Sequence, residues 1–290
     1  MPFNSSIVGT ESMPYVHETD TRWAMNYAAA IGDENPMLLD TRQERLPVHP
    51  MYLAFPEWEA MKTLMPAMRL ADDELTKSVE MHHDTVMHRP LTAGMVLSTV
   101  ASVRAVQTHR SGTLVTYALD TSEVDGDPVG VSTVQALYRG VALVGDDRGE
   151  APALGAAPAD SGAGLTESRQ VSFPATACHT YSECARIWNP FHTDISVAEE
   201  VGISGLILHG TATLARAVSE ICEAFEELSI DRVTRITADL RAMVIVPTSL
   251  ELEYGKPERN GALDSLVVSF QLTTPEAGHA LKRGQVTFRK

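Results

Sequence analysis

The sequence predicts an α+β protein built from two similar units, and three observations carry that expectation. A short segment recurs at a fixed spacing, a stretch poor in large apolar residues lies between the two copies, and each copy is followed by one helix-like segment and then a run of strands. The recurring segment is YAAAIGDENPMLLD, Tyr27 to Asp40, and YSECARIWNPFHTD, Tyr181 to Asp194. At an offset of 154 residues Tyr27 matches Tyr181, Asn35 matches Asn189, Pro36 matches Pro190 and Asp40 matches Asp194. Identities at uncommon residue types and constant spacing point to a duplicated unit.

The intervening stretch, Gly145 to Gln170, is rich in Ala, Gly, Pro and Asp. It reads as a linker, with a long surface loop inside one domain as the alternative. The expected division is 1–145, a linker at 146–165, and 166–290.

The elements follow in order. In the first half, HPMYLAFPEWEAMKTL (His49–Leu64) has an apolar helical face broken by Pro56. Val115, Tyr117 and Leu119 alternate as in a strand, and Val131–Val144 reads as another long strand. In the second half, His209–Leu228 carries Leu214, Val218, Ile221, Cys222 and Phe225 at helical spacing with no proline between them. Strands over Leu250–Tyr254 and Leu266–Leu272 follow. One helix followed by long antiparallel strands, twice over, lets each unit wrap a curved sheet around its helix.

Bulk properties narrow the function. The net charge is −15 over 290 residues, which disfavours nucleic acid or an anionic membrane as a partner. It leaves room for a phosphorylated small molecule held by a few local bases. The three cysteines (Cys178, Cys184, Cys222) cannot all pair within one chain and lack metal-ligand spacing. A reducing, cytoplasmic setting is expected, since the N-terminus lacks signal-peptide character and no stretch has the ~20 apolar residues of a membrane span. His82-His83 lies in a strand-like run, so the two rings point to opposite faces, and no metal or cofactor is expected.

NPFHTD…AEEVGISGLILHGTATLA resembles the MaoC-like (R)-specific enoyl-CoA hydratases and dehydratases. Tyr181, Asn189, Pro190, His192, Asp194, Ala198, Gly202, Ile207, His209 and Gly210 fall on that family's pattern, and His88–Gly94 (HRPLTAG) resembles a strand start of its double members. The resemblance implies a double hot-dog fold, either as a pseudo-dimeric monomer or as a homodimer. It implies a substrate carried as a thioester on CoA or acyl carrier protein. It assigns His192 as the water-activating base, Gly210 as the amide donor to the thioester oxygen, and Asn189 as a brace of the loop. Arg186, Ile187, Trp188 and His209 then become candidate substrate contacts.

The sequence departs from the pattern where the family has its catalytic Asp, which falls on Ile187, and its Ser-Gly, which falls on Ala185-Arg186. The first half keeps Asp33 at the Asp position and has Leu38 at that of His. Because equivalent loops of a pseudo-twofold pair lie at opposite ends of their interface, Asp33 and His192 are not expected to share a site. Each residue also has a structural reading. His192 can cap its loop, Gly210 can permit close helix packing, Asp33 can serve a turn, and Asp40 and Asp194 can each cap the helical turn that follows. Arg186 can meet a substrate anion or lie at the surface.

Overall fold

The computed structural model describes residues 2–75, 78–151, 164–260 and 264–290. Ten of its strands lie side by side in one long sheet. In chain order they are β1 (Tyr15–Glu18), β2 (Ser78–Met87), β3 (Val96–His109), β4 (Gly112–Glu123), β5 (Pro128–Arg139), β6 (Leu165–Phe173), β7 (Val233–Leu240), β8 (Thr248–Gly255), β9 (Ser265–Thr274) and β10 (Gly278–Arg289). Their spatial order is β1-β3-β4-β5-β2-β7-β10-β9-β8-β6. The first five and the last five each form a block, and the blocks join antiparallel at β2 and β7, with His83 opposite Ala238. Asp84 and Arg235 reinforce the seam through an ion pair at 2.6 Å.

Each block packs on a helix: α2 (Ala54–Met68) in the first, α5 (Gly210–Ala224) in the second. This is the double hot-dog arrangement. Leu214, Val218 and Ile221 of α5 are fully buried. Burial of each contributes roughly 1.5–3 kcal/mol, which is what seats the helix on its sheet. Two smaller helices, α1 (Thr21–Ala30) and α3 (Ala177–Cys184), pack together across the pseudo-twofold. There the rings of Tyr27 and Tyr181, both fully buried, meet 5.9 Å apart. The two tyrosines thus occupy equivalent environments, as the repeat requires.

Three expectations need correction. Pro56 does not break the first helix. It falls in the first turn of α2, where its missing N–H belongs to a position with no intrahelical acceptor. Val131–Val144 is not one strand: β5 ends at Arg139, Gly140 turns with φ +70°, and Leu143–Val144 pairs instead with Phe3–Asn4. Asp40 does not precede a helix. It follows the short helix Pro36–Leu39, and its carboxylate accepts from Arg42. Asp194 does cap its helix, α4 (Ile195–Glu200), accepting from the Ser196 amide at 2.9 Å.

Helix α5 stops at Ala224 because Phe225 is extended, so the helix is shorter than the periodicity suggests. Most of the expected linker, 152–163, lies outside the described residues. On its flanks Arg148–Gly149 pairs with β3, and β6 starts at Leu165.

Candidate active site

The second motif loop hangs between α3 and α4 over a small apolar cluster of Phe191, Ala198, Ile203 and Ile207. Backbone bonds hold its tight turn: the His192 amide donates to Asn189 O, and the Thr193 and Asp194 amides donate to Pro190 O. His179 adds a bond to Thr193 O at 3.0 Å. Asn189 was expected to brace this loop, and its backbone carbonyl does so by accepting from the His192 amide. Its side-chain amide makes no hydrogen bond among the described residues, and the residue lines a cavity of about 460 Å³. In the first half the Asn35 side chain does the bracing, accepting from the Met37 amide at 3.0 Å.

His192 also lines this cavity. Its Nδ1 lies 2.7 Å from Ile207 O. A carbonyl only accepts, so Nδ1 carries the proton and Nε2 keeps a free lone pair. Burial pushes the His192 pKa down to about 4, partly offset by that carbonyl, so the ring is neutral near pH 7. The ring of His209 stacks on it at 3.6 Å. His209 donates from Nε2 to Ile187 O at 3.1 Å, while its Nδ1 is buried without a partner. Burial, and then the neighbouring His192, hold His209 neutral as well.

Gly210 opens α5 directly beneath these rings. The first amides of a helix have no intrahelical acceptor, and the cap residue His209 supplies no side-chain bond. Gly210 and Thr211 both line the cavity. Their amides therefore present donors at the positive end of a helix dipole.

The first half lacks each of these features. His49, Pro50 and Leu38 stand where the second half has His209, Gly210 and His192. Pro50 has no N–H, and the Met51 amide is already taken by His49 Nδ1 at 3.1 Å. The correspondence is structural as well as sequential: the Val48 amide donates to Leu91 O at 2.9 Å, and the Leu208 amide to Val244 O at 2.8 Å. Among the described residues, the second half offers a free imidazole nitrogen together with free helix amides, and the equivalent positions of the first half do not. Asp33 does not join it. Its carboxylate accepts from the Asn35 amide at 2.9 Å in its own loop, and it does not line the cavity.

The remaining candidates divide. Ile187 lines the cavity and presents an apolar wall. Trp188 is 52% exposed and lies outside the cavity lining. Arg186 also lies outside it. Its guanidinium crosses into the first half, donating to Tyr52 Oη at 2.8 Å and stacking 3.5 Å from the centre of the Phe55 ring. Arg186 sits at φ +54°, in the place of Gly32 (φ +69°) of the first half. A non-glycine residue there costs about 1 kcal/mol, which the cation–π stack offsets.

Two features went unseen in the sequence. Beside the cavity, and sharing Arg241 and Ala242 with it, runs a surface groove bearing His279, Lys282 and Arg283. His279, Lys282 and Arg283 lie close together on β10, and Arg241 follows the end of β7, so the groove forms where these two paired strands meet. Buried Asp239 organises them, pairing with Arg241 at 2.7 Å and with Arg283. Burial opposes its ionisation, but hydrogen bonds from His82, Arg241 and Arg283 outweigh that and hold it at about 2. The second feature is the cavity's extent. It runs beneath α2 of the first half, past Ala54, Glu57 and Met61, to Val134 and Leu137 of β5. Among the described residues no group of three or more His, Cys, Asp or Glu is placed to hold a metal ion. His82 and His83 take separate partners, Asp239 and Glu80.

Residues 167–269 match the family model described as MaoC like domain. The matched residues span most of the C-terminal half. The whole chain shares its fold with a MaoC-like dehydratase from Phytophthora capsici, at a TM-score of 0.80 and 16% identity over 98% of both chains. A conserved hypothetical protein of Mycobacterium tuberculosis, described as having a double hotdog fold, aligns with 97% of this chain and 95% of its own, at a TM-score of 0.66 and 13% identity. A UPF0336 protein of Saccharopolyspora erythraea is 24% identical over 148 residues, 49% of this chain and 95% of that protein. Within the residues that match this model, Ile187 marks where this chain differs from the motif set out above. No helix among the described residues is long and apolar enough to cross a membrane.

Proposed function

We propose that the chain is a hydratase or dehydratase of acyl thioesters, with its one site at His192, Asn189 and Gly210. The observation that carries this reading is the free Nε2 of a neutral His192 in the same cavity as the open amides at the start of α5. In hydration, Nε2 takes a proton from water as the oxygen adds to the β-carbon of an enoyl thioester. The displaced electron pair moves onto the thioester oxygen, where the Gly210 and Thr211 amides receive it. The imidazolium then returns its proton to the α-carbon. With Ile187 unable to hold the water, the unused side-chain amide of Asn189 takes that part. The basic groove supports a phosphorylated carrier, CoA or acyl carrier protein, at the cavity mouth. We place the unit boundaries at 1–145 and 166–290, with the acyl chain lying in the first unit beneath α2.

A second reading is favoured by Ile187 itself. A single base beside an apolar wall suits proton transfer within the substrate, an isomerisation or ring closure that adds no water. Incubating the purified chain with crotonyl-CoA and longer trans-2-enoyl-CoA esters in D2O separates the two. Loss of the enoyl absorbance with formation of 3-hydroxyacyl-CoA supports hydration. Deuterium incorporation without a hydroxy product supports the single-base reading. Neither change, with tight binding, leaves a non-catalytic acyl-thioester carrier.

A further inference from the structure

The far wall of the cavity carries a hydrogen-bonded chain that the chemistry at His192 does not use. Glu80 Oε1 lies 2.6 Å from His83 Nδ1, His83 Nε2 lies 2.8 Å from Thr85 Oγ1, Thr85 Oγ1 lies 2.7 Å from Ser132 Oγ, and Ser132 donates to Glu57 Oε1 at 2.5 Å. His83, Thr85, Ser132 and Glu57 are all buried. With both nitrogens of His83 donating, each hydroxyl accepts from one neighbour and donates to the next, so all the protons run one way. Burial opposes the charge on His83, but Glu80 outweighs it and raises the pKa.

The chain ends at Glu57, which is 3% exposed and lines the cavity. Its second oxygen, Oε2, has no hydrogen-bond partner among the described residues. The next residue, Trp58, also lines the cavity, and its Nε1–H is buried without a partner. A wall meant for plain hydrocarbon gains nothing from a carboxylate facing the cavity and an indole donor left without a partner, because each polar group kept from water without a partner costs free energy.

We infer that the acyl group this cavity takes carries a hydroxyl or oxo group along its chain, bound by Glu57 Oε2 and Trp58 Nε1–H, and is not a simple alkyl chain. This rests on the acyl-thioester reading and names the substrate class within it. A hydroxyl can donate to Glu57 while accepting from Trp58. An oxo group can accept from Trp58, and also from Glu57 when that carboxyl is protonated. Burial raises the Glu57 pKa to about 7, against the pull of His83 and Ser132, so both forms of the carboxyl are available near neutral pH.

The test is calorimetric binding of decanoyl-CoA and of its hydroxy and oxo counterparts, with the substituent moved from the sixth carbon to the terminus. Wild type should bind at least one substituted ester about tenfold or more tighter than decanoyl-CoA, the scale of one hydrogen bond to a buried polar group. Glu57→Leu should reduce that preference to within about threefold. Trp58→Phe, which removes one donor and keeps the ring, should weaken the oxo esters selectively whether or not Glu57→Leu folds. If decanoyl-CoA binds as well as every substituted ester, or if the preference survives both variants, the inference is overturned while the acyl-thioester reading stands. If no ester binds, both are overturned.

Discussion

The imidazole of His192 stacks on that of His209, with centroids 3.6 Å apart and planes 22° from parallel. Each ring is pinned by a carbonyl, His192 by Ile207 O and His209 by Ile187 O. The stack forms a rigid wall that points one free nitrogen, Nε2 of His192, into the cavity. Two imidazoles this close and this buried cannot both become imidazolium cations, which favours the neutral base that hydration needs.

Replacing His192 by alanine should lower kcat at least ~10²-fold, the usual effect of losing a general base. Affinity for a saturated acyl-CoA should change less than about threefold, because the thioester oxygen is held by helix amides. Steady-state kinetics beside calorimetric binding checks both halves of this expectation. Unchanged turnover would mean that the loop is kept for structure.

Gly210→Pro copies into the second half what the first half already has. His209 has φ −58° and ψ 137°, nearly the values of His49 before Pro50 (−58° and 130°), so the backbone accepts proline there. A Cβ at 210 would meet Leu240 Cδ2 at 2.1 Å, so the change is paired with Leu240→Ala. Against Leu240→Ala alone, the double variant should lose about 10²–10³ in kcat with KM little moved, the cost of one oxyanion donor. An equal rise in KM with kcat intact would move the thioester oxygen elsewhere.

Much of this was legible in the sequence, for identifiable reasons. The 154-residue repeat foretold the paired environments of Tyr27 and Tyr181, since a duplicated core keeps its large buried side chains. The loop from Asn189 to Asp194 could be read because its shape comes from local backbone bonds. The path of Arg186 was hidden, because it depends on Tyr52 and Phe55, more than 100 positions away in the chain. The basic groove had a local signal in His279, Lys282 and Arg283, but its link to Arg241 and Asp239 comes only from the pairing of β7 with β10. One available signal went unused: LPVHP (46–50) against LILHG (206–210) at an offset of 160. It places Pro50 opposite Gly210 and so indicates that the first half has no amide to offer.

Stability should fall as the solution is acidified below pH 7. His17 and His49 titrate at about 4, His17 through burial and the nearby Arg186, His49 through burial partly opposed by Asp33. His192 also titrates at about 4, and His209 lies well below its ordinary value. Their pKa values return to about 6.5 on unfolding, so between pH 6.5 and 4 the unfolded chain binds more protons, and stability drops with pH. Glu57 and His83, both raised, work in the opposite direction but are outnumbered. Scanning calorimetry should show Tm falling by about 10 °C from pH 7 to 4.5. Where the fold persists, the acid limb of kcat/KM should lie near 4. A limb near 6.5 would mean a solvated base.

Ile187→Asp asks whether the site is a hydratase lacking one group or a pocket made for other chemistry. The new carboxylate would line the cavity beside the His192 loop and give water a second acceptor. Arg186, the adjacent cation, is held on Tyr52 and over Phe55, so it is not free to neutralise the new group. Removing Arg186 would instead loosen a contact between the halves, which makes the single substitution the cleaner one. Ile187 is 8% exposed, and burying a carboxylate there should cost roughly 1–3 kcal/mol of stability. Positioning water at two points should raise kcat/KM for enoyl-CoA hydration at least about tenfold, a small part of what good positioning can supply. The measurement is hydration rate alongside Tm. If the variant folds and binds saturated acyl-CoA as wild type does, yet gains no hydration on any enoyl-CoA, water is not the second reactant. The single-base reading, in which Ile187 keeps water away from His192, then takes its place.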